Sequence, residues 1–143
     1  MRRIFVAAFA GLVSIGAGVA ADDPIHARKA LMEANGKVSK PIVAIMKGAP
    51  FQLQAVQAAL KQFIETSEKA AALFPPGSDK GKTEALPVIW ANKSDFDARL
   101  AKLGTDSKAA LAAIKDKATF NANMPAVFKN CGGCHELYRA KEK

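Results

Sequence analysis

The chain has 143 residues, 50% of them hydrophobic and 24% charged, and carries a formal charge of +8 from 21 Lys and Arg against 13 Asp and Glu. That length supports one domain around one core. Two Cys and two His are too few for a zinc centre, and no basic stripe interleaves with aromatics, so nucleic acid is not an expected partner.

The first element is a secretory leader over residues 1–21. Arg2 and Arg3 form its charged head, Ile4 to Val13 its apolar run, and Ala20 or Ala21 its cleavage site. The apolar run is short and flanked by small residues, so no stable membrane insertion is expected after cleavage. Residues 22–143 remain as the mature domain. Without Arg2 and Arg3 the balance is 19 basic against 13 acidic residues, or +6, which steers the protein towards acidic partner surfaces.

Four helices follow. The first runs from about Pro24 to Lys47, capped by Asp22 or Asp23, with a kink expected at Pro41. Ile25, Met32, Ile42, Ile45 and Met46 form its stripe. The second, about Gln52 to Leu73, carries Leu53, Val56, Leu60, Phe63, Ile64 and Ala71 at helical spacing, and a breaker-rich link, Phe74 to Gly81, ends it. The third begins near Glu84 to Pro87 and continues to about Asp116 along Ile89, Phe96, Leu100, Leu103, Ser107, Leu111 and Ile114. Gly104 is its weak point, and two shorter helices are the alternative. The fourth, about Ala118 to Arg139, is lined by Phe120, Met124, Val127, Phe128, Cys131, Cys134 and Tyr138, with Pro125 implying an early kink or a later start. No segment alternates with period two. The expected fold is all-α, an antiparallel up-down-up-down four-helix bundle.

The fourth helix carries Cys131-Gly132-Gly133-Cys134-His135, the attachment signature of a c-type haem. Thiols at i and i+3 point to one side, where they can bond the two vinyl positions of a porphyrin, and the next residue, His135, brings an imidazole to the iron. A thiol redox pair or a disulfide are the other readings of Cys-x-x-Cys. Such pairs sit early in a strand–helix unit, whereas this motif ends a helical chain.

A second iron ligand follows from levels in the bundle. Met32 lies eight residues beyond Pro24, roughly 12 Å along the first helix, and His135 five residues before Ala140, roughly 8 Å from the end of the fourth. Met46 lies roughly 21 Å past Met32, and Met124 roughly 16 Å from His135 on the same helix. His26 is about 120° around the helix from Met32 and is expected to be exposed. Met32 is therefore the candidate ligand opposite His135. Arg28, one turn earlier, is a candidate for a haem propionate. Arg139 is expected beside the proximal imidazole, and Asn35 and Gly36 leave room for the ring. Trp90 and Phe96 read as core packing. No nucleophile–base pair or paired carboxylates stand out, so the chain does not read as an enzyme.

The motif with Tyr138-Arg139 after it, the Arg28-Lys29-Ala30-Leu31-Met32 run and Ile89-Trp90, behind a four-helix pattern, resembles cytochrome c′ and its relatives, the class II cytochromes c. The likeness covers essentially the whole mature chain. It implies one covalently attached haem c per chain and, in many members, a homodimer through the first two helices. Within the family an apolar distal residue leaves the iron five-coordinate and able to bind nitric oxide or carbon monoxide, whereas a methionine from the first helix gives a low-spin electron carrier. Met32 matches that methionine position. The resulting expectation is a periplasmic electron carrier with His135 and Met32 as ligands. A five-coordinate gas-binding protein is the alternative.

Overall fold

The computed structural model describes residues 23–141, so the predicted leader lies outside the described residues. Helix α1 spans Pro24–Met46, α2 Leu53–Lys69, α3 the single turn Val88–Ala91, α4 Lys93–Ala113 and α5 Lys117–Tyr138. A 3₁₀ turn, Ala70–Leu73, extends α2. The long helices α1, α2, α4 and α5 make the expected all-α bundle. Among the described residues the only β pairing is an isolated bridge between Ala85 and Arg139.

The start of α1 follows its sequence. Asp23 accepts the Ile25 N–H at 2.9 Å, and Pro24, which has no N–H to leave unpaired, opens the helix. Pro41 and Pro125 both lie inside continuous helices. At the start of α5 the Asp116 carboxylate takes the Thr119 N–H and hydroxyl, each at 2.8 Å, while the Thr119 Oγ1 accepts the Asp116 N–H at 3.1 Å. This is a capping box, which satisfies donors at both ends of the first turn.

The third helix departs from expectation. Residues 84–87 are not helical, and the break falls at Asn92, whose φ of −122° and ψ of 44° turn the chain between α3 and α4. Tertiary contacts impose it: the Trp90 indole donates to Pro75 O at 2.9 Å, and Ile89 is buried against Phe74 and Phe96. Gly104, the expected weak point, is instead a close approach. A Cβ there would collide with the Ser67 hydroxyl and come within 2.9 Å of Ser67 Cβ. Glycine is what lets α4 lie tightly on α2.

Close backbone packing joins α1 to α2, α2 to α4 and α4 to α5. At one end α1 also meets α5: Lys117 Nζ donates to Ile45 O at 2.8 Å, and Ile42, Ile45, Phe120 and Met124 share one apolar cluster with Val56, Phe63 and Val127. A second cluster at the other end gathers Phe74, Ile89, Phe96, Leu100 and Tyr138. Met46, expected in the α1 stripe, is 43% exposed; the stripe reaches its last buried residue at Ile45.

At that second end Arg28 of α1 is buried, and its guanidinium holds the link after α2. One terminal nitrogen donates to Leu73 O at 3.3 Å and Ser78 Oγ at 3.1 Å, and the other to Ser78 O at 2.8 Å and Thr83 Oγ1 at 2.7 Å. Its plane also sits 4.7 Å from the Phe74 ring centroid and 5.6 Å from that of Trp90. The chain then pairs with the end of α5, where Leu86 N donates to Tyr138 O at 3.0 Å and Ala140 N to Glu84 O at 2.8 Å.

Two outcomes follow from this packing. Gly104→Ala is expected to destabilise the folded protein by about 1–3 kcal/mol in denaturant titrations, with Ser67→Ala recovering part of the loss. The second concerns Asp116, whose bonds from the Thr119 backbone and hydroxyl hold its carboxyl below the usual carboxylate range. A depressed folded value stabilises above the unfolded pKa of about 3.9 and is lost as pH falls through the folded one. Wild type should therefore melt above Asp116→Asn at about pH 7, and the gap should close by about pH 2.

Candidate haem-binding site

Between α1 and α5, at the Arg28 end, the bundle encloses a cavity of about 530 Å³. That is within the usual range of about 300–1,000 Å³ for cofactor and ligand sites. Its floor is apolar: Phe63 from α2, Phe74 from the link, Ile89 from α3, and Phe96, Leu100 and Leu103 from α4. All six residues expected to serve the site, Arg28, Met32, Cys131, Cys134, His135 and Arg139, line this one cavity.

The α5 wall is built by helical register. Cys131 and Cys134 lie one turn apart and are half-buried, and His135 follows them. Burial raises the pKa of both thiols. A thiol redox pair commonly shows the opposite shift, towards thiolate. Burial also lowers the His135 pKa, with the nearby Arg139 charge adding to the effect and Glu84 opposing it. Among the described residues no group of three or more His, Cys, Asp and Glu gathers.

Two carboxylates of α4 pin this wall. Asn130, just before the motif, donates to Asp106 at 2.8 Å. Tyr138, three residues after His135, donates its hydroxyl to Asp95 Oδ2 at 2.5 Å, and Arg99 donates to the same oxygen at 2.6 Å. Those bonds, Arg99 first and Tyr138 second, hold the Asp95 carboxyl below its usual range, and the bond to Asp95 pushes the Tyr138 phenol up, with Arg99 opposing.

The α1 wall carries Met32, 37% exposed, with Asn35 and Gly36 one turn on. A Cβ added at Gly36 would find no atom within 4 Å, so open space lies beside it. Of the other candidates, Met124 is fully buried in the opposite cluster, Met46 and His26 are exposed, and none of the three lines the cavity. Arg28 differs from its expectation. Both terminal nitrogens are committed to Leu73, Ser78 and Thr83, so the fork that would hold a propionate holds the protein's own link. Arg139 is exposed at the rim, with Nε 4.0 Å from Glu84 Oε2.

Sequence reading missed the apolar floor as a site, because Phe63, Phe96, Leu100 and Leu103 repeat with the period of ordinary core residues. It also missed Thr66 and Arg99, which no local motif marks. A largely apolar cavity, two thiols one turn apart on one wall, an imidazole beside them and charged groups in the lining fit a tetrapyrrole with acidic edge groups. Cys131 and Cys134 would hold its periphery and His135 its iron.

Comparison with known proteins agrees. Cytochrome c′ of Rhodopseudomonas palustris is 43% identical over 144 residues, covering 98% of this chain and 99% of that protein. Cytochrome c-556 of the same organism is 38% identical over 149 residues, covering 99% of each. A solved structure of the R. palustris cytochrome c′ superimposes with a TM-score of 0.82 at 43% identity, covering 85% of this chain and 98% of that one. The pattern of the family described as Cytochrome C' runs over residues 23–139, and this chain belongs to that family.

Proposed function

We propose that this chain is a periplasmic electron carrier in which His135 and Met32 bind the two faces of the haem iron. Like its family, it carries covalently attached haem c, and the attachment motif occurs once. When bound, the haem supplies a one-electron iron couple. Cys131 and Cys134 fix its position, His135 offers an imidazole nitrogen, and Met32 offers a thioether, which favours the reduced state and raises the potential. The observation that carries the reading is that Met32 is the only sulfur or imidazole group outside the motif, among the described residues, on the cavity wall. The chain is similar over its full length both to a cytochrome c-556 and, at higher identity, to a cytochrome c′, so likeness does not choose between the two readings.

An iron with two protein ligands in both oxidation states needs little rearrangement when an electron arrives, which suits a carrier rather than an enzyme. Around the cavity Lys29, Arg99 and Arg139 stand among Glu33 and Glu84, and it is the overall excess of basic residues that favours an acidic redox partner. No helix among the described residues is long and apolar enough to cross a membrane. The leader read from the sequence directs the chain to the periplasm, the side on which this motif is loaded.

The five-coordinate, gas-binding reading draws on two observations: the 43% identity to a cytochrome c′ and the partial exposure of Met32. Spectra separate the two. Reduced wild type should show a sharp low-spin α band and bind carbon monoxide only weakly. Met32→Leu should give a high-spin iron that binds the gas, and a spectrum identical to wild type would remove Met32 from the coordination. A wild type that binds carbon monoxide at once would instead favour the gas-binding reading. Cys131→Ala with Cys134→Ala should lose the haem-stained band on a denaturing gel, whatever occupies the distal face.

A further inference from the structure

Met32 does not stand alone on the α1 wall. Gln62 Nε2 of α2 donates to Thr66 Oγ1 at 3.4 Å, Thr66 Oγ1 donates to Asn35 Oδ1 at 2.9 Å, and Asn35 Nδ2 donates to the Met32 sulfur at 3.9 Å. Thr66 is fully buried. Its hydroxyl accepts from Gln62 and so has its single proton left for Asn35. In this arrangement the Asn35 amide turns its oxygen towards Thr66 and its nitrogen towards the thioether. Met32, Asn35 and Thr66 all line the cavity, so the relay runs along the wall that faces His135.

We propose that Asn35 is a positioning residue for the distal ligand, anchored by Thr66 and setting which lone pair Met32 turns to the iron. The inference rests on the ligation proposed above. A thioether sulfur has two lone pairs. With one on the iron, the other is free to accept the Asn35 N–H, so the hydrogen bond and ligation are compatible. Methionine has three rotatable side-chain bonds and little shape preference of its own. A donor fixed from a second helix selects one rotation about the last of them. Such outer partners of metal ligands commonly orient the ligand and tune its hold on the metal. Without the donor, the half-exposed side chain samples other rotamers, and the distal face opens to small ligands.

The test uses the holoprotein with two variants. Asn35→Leu keeps the size and removes the donor; Thr66→Val keeps the donor and removes its anchor. Each is read by carbon monoxide titration of the ferrous form and by the ring-current-shifted Met32 resonances in proton spectra of the reduced protein. Asn35→Leu is expected to raise carbon monoxide affinity about tenfold, equivalent to about 1.4 kcal/mol, the scale of a single hydrogen bond. It should also replace one set of Met32 resonances by a broadened or doubled set, and Thr66→Val should move both readouts the same way by less. Unchanged affinity and unchanged Met32 resonances in both folded variants would overturn the role of Asn35 while leaving ligation by Met32 intact. A wild type that is already high-spin would overturn both.

Discussion

The haem-facing end of this bundle depends on one buried cation. Arg28 lies inside the protein with no carboxylate paired to it among the described residues, and neutral oxygens and two aromatic faces take the place of a counter-ion. Burial pulls its pKa down, opposed by Asp23, yet a guanidinium stays charged throughout the biological range. Four charge-assisted hydrogen bonds at about 1.5–3 kcal/mol each are comparable with a desolvation penalty of several kcal/mol. The net stability gained is small. What the arrangement fixes is position: α1 is tied through Arg28 to residues 73, 78 and 83, and Met32 follows Arg28 by one helical turn on a similar face.

The cavity lies where α1 and α5 are tied to different parts of one connection. At the far end α1 and α5 share an apolar cluster and the Lys117–Ile45 hydrogen bond. At the near end α1 is drawn to the link after α2, whereas the end of α5 is drawn to residues 84–86 by backbone hydrogen bonds. Both partners belong to the same connection between α2 and α4. The stretch that sequence reading treats as a breaker-rich linker therefore sets the separation of the two walls.

Much of this was legible in the residues. Asp23-Pro24 marks the start of α1, the helical stripes give four long helices, and the five-residue motif gives the tether. The level argument brings Met32 to the cavity because a helix rises by a fixed amount per residue. What was illegible is tertiary. The break at Asn92 follows from Trp90 reaching Pro75, fifteen residues away, and Gly104 breaks nothing because its use is a helix crossing. Arg28 looked like a propionate partner because its sequence position is right. Only the fold shows that Ser78 and Thr83, fifty and fifty-five residues on, occupy its fork.

The two walls differ in how firmly they are held. The His135 side is pinned at both ends of the motif by short hydrogen bonds to carboxylates, Asn130 to Asp106 at 2.8 Å and Tyr138 to Asp95 at 2.5 Å, and Phe96 stacks edge-on to Tyr138 at 5.3 Å. The Met32 side depends on one N–H···S contact of 3.9 Å beside a partly exposed side chain. Under the proposed ligation, the balance between closed and open distal faces is then governed on the α1 side, by an interaction of about 1 kcal/mol. A difference of that size shifts a two-state equilibrium by about fivefold. The identity of the distal residue sets which ligand is available. The hydrogen bonds behind it set how much of the time that ligand is bound.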